Sequence, residues 1–527
     1  MIIRTFLALC AILIFETPAS EGSKGPPLRE KGTFPAVSPG MDPLTQSRRA
    51  LNPDSSPLAH LDSAAFFSRR DFLTRNCLGF GGLSLASLFG INPFDLNAAP
   101  GATGPLAPKA PHFPAKAKAV IQIFAGGAPS TVDTWDPKAE LSKEDGKKIP
   151  GYEGVAFGSP FKFAKAGKSG IEVCEVFPEL AKHIDEMAVI RSLFTEIPDH
   201  QIAAKMLMTG SPQLPKPSIG SWLTYGLGSV NQNMPGFVSL GGDSSFRQCA
   251  FLPGIYQGCN VNYSPTAPLS SVLANIRSEF STLDRQRRQL DFVAASNKEH
   301  AATLQRDSQL EARIEAFEIA YKMQTEATEA FDISKETEAV RERYMGPLTG
   351  MSPAPTLRAN GSKLLVARRL IERGVRFVQV ACSGSWDHHE NIAKGVKDAA
   401  TGVDGPAAAL LQDLKERGLL DSTLVIWGGE FGRTVTTSGG GATPGRDHNG
   451  KSMVSWMAGG GVRGGTTYGE TDEFGGKVVK DPVHIHDLHA TILALMGFDH
   501  TKLTYTYNGR EFRLTDNFGN VVKEIIG

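Results

Sequence analysis

The sequence has no excess of charge of either sign, because 55 Lys and Arg balance 55 Asp and Glu in 527 residues. Proteins dedicated to nucleic acid usually carry a basic excess or stripe, so the composition argues against such a partner. Cysteine is scarce, six in the whole chain, which excludes a disulfide scaffold or a zinc ribbon. Cys249 and Cys259 flank a short loop and either pair or stay as thiols.

Long apolar runs and repeats of fixed period are also missing. No run reaches the roughly 20 residues of a membrane span, so we expect no transmembrane segment in the mature chain. The remaining composition, 41% hydrophobic and 21% charged, is ordinary for a globular protein.

The N-terminal region, residues 1–99, carries two export signals in tandem. An apolar run at 6–15 resembles a secretory signal peptide. The segment 68–73, SRRDFL, precedes a weakly apolar stretch and a small-residue exit, which is typical of a twin-arginine signal, although it could also start a surface helix. Such signals lie near the start of a protein, so we predict that Met41 is the true initiator. The twin-arginine machinery would then export the mature protein to the periplasm or the cell exterior.

A Pro, Ala and Gly-rich linker is predicted at 100–116, followed by one large domain at 117–527. Within that domain, apolar strand-like runs alternate with helical patterns, as at 119–124, 201–208, 423–427, 453–458 and 487–496. This order predicts an α/β fold with a doubly wound, mostly parallel sheet. A highly charged segment at about 268–345 is predicted to be a solvent-exposed helical insertion, since sustained apolar heptads of a coiled coil are missing.

Acidic and imidazole side chains follow two of the predicted strands. Ligands of open α/β sheets bind beyond the carboxyl ends of strands, so these side chains are expected to meet in space. A mixture of imidazoles and carboxylates suits zinc, manganese or iron better than calcium. The predicted divalent metal site comprises Asp387, His388, His389, Glu430, Asp447 and His448, with Asp387, His389 and His448 as the preferred ligands.

Other residues near these strands have less certain roles. Arg433 and Arg446 would hold an anionic substrate oxygen by paired hydrogen bonds, or else form surface ion pairs. His484 and His486 alternate on a predicted strand and His489 lies on the next helix, for which a structural role is favoured over a metal cluster. Trp386 and Trp456 are expected to pack beside the site, although an exposed tryptophan would instead stack on a sugar ring.

Three motifs together resemble a known family. They are Trp386-Asp387-His388-His389, Gly429-Glu430-Phe431-Gly432-Arg433 and Gly445-Arg446-Asp447-His448-Asn449. These segments, and others along nearly all of the mature chain, resemble the DUF1501 family of exported bacterial proteins, which is similar in turn to the alkaline-phosphatase-like superfamily of sulfatases, phosphatases and phosphoglycerate mutases. The resemblance implies an alkaline-phosphatase-like fold.

The resemblance also implies a metal site, with departures. Glu430 and Phe431 stand where those enzymes place an Asp-His pair, and His448 resembles their later histidine ligand. Asp387 with His389, or with His388, resembles the first metal site. The early strand ends in glycines where an aspartate ligand is usual, and Asp133 is the nearest substitute.

At the helix start where the superfamily carries a Cys, Ser or Thr nucleophile, this sequence has His200. His200 would act as nucleophile, general base or metal ligand, or simply as a polar residue at a helix start. Thr195 and Ser192 are upstream hydroxyl alternatives. The helix N-terminus would still favour a bound anion.

These features predict an exported, metal-dependent hydrolase of phosphate or sulfate esters, in which the ion lowers the pKa of bound water to about 7 so that hydroxide attacks. The substrate would be an anionic small molecule or a sulfated or phosphorylated glycan. The alternative is a non-catalytic protein that binds an anionic glycan or a metal in a relic site. A scaffold role through the charged insertion is a third possibility.

Overall fold

The computed structural model describes residues 106–264, 282–303, 326–348, 354–438 and 443–527. All of them fall within one compact unit, Phe67–Gly527. The predicted export signals, the predicted start at Met41 and parts of the charged insertion lie outside the described residues, so these remain predictions.

The described residues form seventeen strands and ten α-helices. The strands are β1 Ala119–Phe124, β2 Phe163–Ala166, β3 Ile171–Cys174, β4 Met187–Phe194, β5 Phe237–Leu240, β6 Cys259–Val261, β7 Phe377–Ala381, β8 Thr423–Gly428, β9 Gly432–Ser438, β10 Gly445–Asn449, β11 Met453–Ala458, β12 Thr466–Tyr468, β13 Glu470–Thr471, β14 Val478–Lys480, β15 Val483–His484, β16 Tyr505–Tyr507 and β17 Arg510–Phe512. The helices are α1 Ala139–Lys143, α2 His200–Thr209, α3 Ile219–Leu227, α4 Leu283–Thr303, α5 Glu326–Phe331, α6 Glu338–Met345, α7 Pro355–Glu372, α8 Ile392–Thr401, α9 Asp404–Glu416 and α10 Ile485–Leu495.

Nine strands form the central sheet, in the spatial order β12-β4-β11-β8-β1-β7-β5-β6, with β15 beside β4. Every pairing in it is parallel except those of β11, which runs antiparallel to β4 and β8. All six residues of β1 are buried. Because successive side chains point to opposite faces, both faces of the sheet must be covered. The predicted α/β fold with a mostly parallel sheet is confirmed.

The strand directions place four loops at one edge of the sheet. β1, β7 and β8 run parallel, and β4 points the same way because β11 is antiparallel to both β4 and β8. The carboxyl ends of β1, β4, β7 and β8 therefore lie at the same edge of the sheet. Every predicted site residue lies in a segment that follows one of these four strands.

The described part of the predicted linker, residues 106–116, lies against the domain. Leu106 is buried, the amide of Lys109 donates to the carbonyl of Leu227, and the amide of Phe113 donates to that of Gly497. Residues 106–116 are thus packed against the domain rather than free. No helix in the described ranges is both long and apolar enough to cross a membrane.

One local detail differs from the sequence prediction. The strand expected to carry His484 and His486 ends at His484, which caps α10 instead. Cys249 and Cys259, whose pairing the sequence left open, are free thiols.

Candidate metal centre at the carboxyl edge of the sheet

Four of the predicted residues meet where the sheet loops converge. Asp387 and His389 follow β7, His448 lies in β10 just before β11, and His200 is the first residue of α2, which follows β4. We call Asp387, His389 and His448 the ligand triangle. Two overlapping groups of described residues bring possible ligand atoms within 4.8 Å of one another: His200, Asp387 and His448, and His389, Asp447 and His448.

The ligand triangle has the size that a small divalent ion requires. Oδ1 of Asp387 lies 3.0 Å from Nε2 of His389 and 3.7 Å from Nε2 of His448, and the two imidazole nitrogens are 3.1 Å apart. Ligands about 2.0–2.1 Å from a tetrahedral ion lie roughly 3.3–3.4 Å from each other. The three donor atoms are therefore already spaced as ligands of one ion.

The outer partners of the two imidazoles favour the tautomer that a ligand needs, through a hydrogen bond at His448 and a longer contact at His389. Nδ1 of His448 lies 2.8 Å from the carbonyl oxygen of Pro198. A carbonyl only accepts, so Nδ1 carries the proton and Nε2 keeps its lone pair. Nδ1 of His389 faces Oδ1 of Asp447 at 3.6 Å. Metal-ligating histidines typically show this arrangement of outer partners.

His200 forms a pair with Glu430 beside the triangle. Nδ1 of His200 lies 2.6 Å from Oε1 of Glu430, an oxygen that also accepts from the amide of Gly127 at 2.9 Å. Glu430 is buried, and its hydrogen bond raises the pKa of His200 against the opposing effect of burial. Nε2 of His200 has no hydrogen-bond partner and faces Oδ2 of Asp387 at 3.4 Å.

Two backbone groups of the site were missed by the sequence reasoning, the amide of Gly127 and the carbonyl of Pro198. The Gly126-Gly127 pair at the end of β1 indicates a close backbone approach. The group that the Gly127 amide binds, the carboxylate of Glu430, is 303 positions away in the sequence. Nothing in the sequence marks Pro198.

Arg433 is neither a surface ion pair nor open to substrate. Its side chain is fully buried and donates to Oδ1 of Asp387 at 2.5 Å and to the carbonyls of Gly127 and Ala128 at 2.5 and 3.0 Å. Arg433 thereby ties the loop after β1 to the loop after β7. It orients Asp387, and its guanidinium has no face left for an anionic ester.

Arg446 and Asp133 do not join the cluster, which corrects both predicted roles. The guanidinium of Arg446 donates to both oxygens of Asp133, and neither side chain is exposed. Ser130 Oγ also donates to Asp133, at 2.6 Å. Because these partners occupy the carboxylate and the guanidinium, neither group is available to a metal or a substrate.

His388 and Asp447 occupy the margins of the site. The ring of His388 packs against Gly395 of α8, and burial lowers its pKa. His388 therefore lies outside the ligand triangle. Asp447 is exposed, and its carboxylate accepts a hydrogen bond from the amide of His448 at 2.8 Å. Within the cluster it faces Nδ1 of His389.

The remaining candidates lie outside the ligand triangle. Ser192 Oγ donates to the carbonyl of Asp481, whereas Thr195 is buried and its Oγ1 has no hydrogen-bond partner among the described residues. His484 pairs with Glu196, while Nε2 of His486 and of His489 each faces a backbone carbonyl. Trp386 and Trp456 are buried and are packed among the aromatic side chains of the core.

A cavity of about 1000 Å³ opens beside the triangle. His448 lies in its wall, together with Thr195, Glu196 and Asn449. The volume is enough for a ligand much larger than a single phosphate or sulfate group.

Fold and site together define an α/β protein with a histidine and carboxylate centre at the carboxyl edge of its sheet. The chain belongs to the family described as "Protein of unknown function (DUF1501)", whose model matches residues 117–526. No curated protein matches the sequence.

Among solved structures, the chain is similar to three enzymes at low identity. They are the lipoteichoic acid synthase LtaP from Listeria monocytogenes (10% identity, 82% of this chain and 79% of that one, TM-score 0.32), the PsFucS1 sulfatase from Pseudoalteromonas sp. (13%, 81% and 72%, 0.30) and the alkaline phosphatase from the Antarctic bacterium TAB5 (14%, 67% and 93%, 0.27). Similarity at this level does not establish activity, which has to be inferred from the side chains themselves.

Proposed function

We propose that the protein is an exported, metal-dependent hydrolase of phosphate or sulfate esters. The observation that carries the proposal is the ligand triangle, three donor atoms 3.0 to 3.7 Å apart with a carbonyl or carboxylate facing each Nδ1. Export rests on the twin-arginine pattern of the sequence.

The side chains fit a divalent ion. Two imidazoles and one carboxylate form a borderline donor set suited to zinc, manganese or iron. Asp387, His389 and His448 would hold the ion, and its charge would polarise a phosphoryl or sulfuryl oxygen. Arg433 holds Asp387 in place by donating to the same oxygen, Oδ1.

The His200–Glu430 pair supplies the proton chemistry. Glu430 fixes the imidazole of His200 through Nδ1, which leaves Nε2 free and directed at the triangle. Nε2 would accept the proton of the attacking water, and the Glu430 carboxylate would stabilise the resulting imidazolium. The N-terminus of α2, where His200 lies, would favour the anionic group of the substrate.

The test is turnover of p-nitrophenyl phosphate and p-nitrophenyl sulfate by zinc- or manganese-loaded protein, beside His200→Gln. We expect the wild type to hydrolyse one of the two esters, and His200→Gln to lose about 10²–10⁴ in kcat while it keeps its metal. A loaded wild type that binds these esters without any turnover would instead identify a binding protein.

A further inference from the structure

Two lysines, Lys451 and Lys477, lie in the wall of the cavity beside His448. Both side chains are exposed, and within the described ranges neither ammonium group has an ion-pair or hydrogen-bond partner. The backbone holds their segments together, since the amide of Val478 donates to the carbonyl of Lys451 at 3.1 Å. Two uncompensated cations therefore share one wall.

Most other polar groups of the wall are already occupied. Glu196 pairs with His484 at 3.0 Å, the Tyr152 hydroxyl donates to Asp472, and Asn449 Nδ2 donates to the carbonyl of Gly476 at 2.8 Å.

The groups left over are mainly donors. Glu153 is exposed and is the one carboxylate of the wall without a partner in the part of the chain that is described. Thr195 is 2% exposed, and its Oγ1 lacks a hydrogen-bond partner. Two ammonium groups and a hydroxyl therefore remain beside one unpaired carboxylate, so most of the unpartnered groups of the wall are hydrogen-bond donors.

We propose that Lys451 and Lys477 bind a second sulfate or phosphate group of the substrate, distinct from the ester at the ligand triangle. The proposal rests on the proposed function for the position of the first group. A cavity of about 1000 Å³ has space for a sugar-sized body between the two anionic groups. Ammonium groups attract such anions as point charges without fixing their orientation.

The test compares ligands that differ by one anionic group. Glucose 6-phosphate is matched with glucose 1,6-bisphosphate, and glucosamine 6-sulfate with glucosamine N,6-disulfate, which separates phosphate from sulfate. Equilibrium binding is measured by calorimetry on the metal-loaded mature chain carrying His200→Gln, so that turnover does not consume the ligand.

We expect at least one doubly charged ligand to bind about tenfold tighter than its singly charged match, which equals about 1.4 kcal/mol. Lys451→Gln combined with Lys477→Gln should reduce this preference to less than about threefold, and added salt should weaken it. Lys502→Gln, which removes an exposed lysine elsewhere, is the matched control and should keep the preference.

Absence of a preference in both ligand pairs would overturn the proposal, as would a preference that survives in the double variant or disappears equally in the control. Failure of the proposed function looks different. The wild-type protein would then hydrolyse neither ester, while the preference for doubly charged ligands and its dependence on the two lysines would persist.

Discussion

Arg446 donates to both carboxylate oxygens of Asp133, at 2.6 and 3.1 Å, and both side chains are excluded from solvent. Removal of one partner leaves an unpaired charge in the interior, which costs about 3–5 kcal/mol. We therefore expect Asp133→Asn to lower the free energy of unfolding by about this amount, measured by chemical denaturation. Its metal content should not change.

The exposed pair Glu470–Lys480 provides the control, because Lys480→Gln breaks an ion pair that water already screens. Little change in stability is expected there. An Asp133→Asn protein that is as stable as the wild type but has lost its metal would restore Asp133 to the metal site.

The sequence predicted β1, β8 and β11 closely, because both faces of these strands are covered and each strand is a nearly continuous apolar run. It also predicted that Asp387 and His448 would meet, since they lie at loops of one sheet edge.

It did not predict what the two arginines do. Arg446 and Asp133 are 313 residues apart, and only the folded topology brings them together. In the sequence, an arginine near an acidic loop looks the same whether it binds a substrate or is buried in an ion pair. The sequence named both His388 and His389 as candidates and preferred His389, which is the one that lies in the triangle.

Gly127 is required at the end of β1. Its φ is 103°, and a Cβ there would lie 2.6 Å from the amide nitrogen of Asp387 and 2.7 Å from that of Trp386. Gly127→Ala should therefore displace Asp387, and we expect a loss of metal affinity and a loss of stability of about 1–3 kcal/mol. Metal titration and thermal unfolding measure the two effects.

Gly405 in α9 is the matched control, because a Cβ there meets nothing within 4 Å. Gly405→Ala should keep the metal and stabilise the helix by up to about 1 kcal/mol. Normal metal affinity in Gly127→Ala would show that the loop after β1 does not position Asp387.

The buried side chain of His489 should make the stability of the protein depend on pH, independently of the metal. Burial lowers its pKa to about 3. The unfolded chain has the ordinary value of about 6.5, so between these values it binds one proton more than the folded protein does. The stabilising contribution is complete above about pH 6.5 and is lost as the pH falls, by about 1.4 kcal/mol per pH unit.

Denaturant titrations between about pH 4 and 6 would measure this slope. The His489→Gln protein should have a slope smaller by one proton than the wild type. Equal slopes in the two proteins would mean that His489 is protonated in the folded state.

The most direct test of the metal centre is elemental analysis of the mature protein exported by its native host, beside Asp387→Ala and His448→Ala. The account predicts about one or two equivalents of zinc, manganese or iron in the wild type and none in either variant, with both variants folded. A wild type without metal, or folded variants that keep the wild-type content, would contradict it.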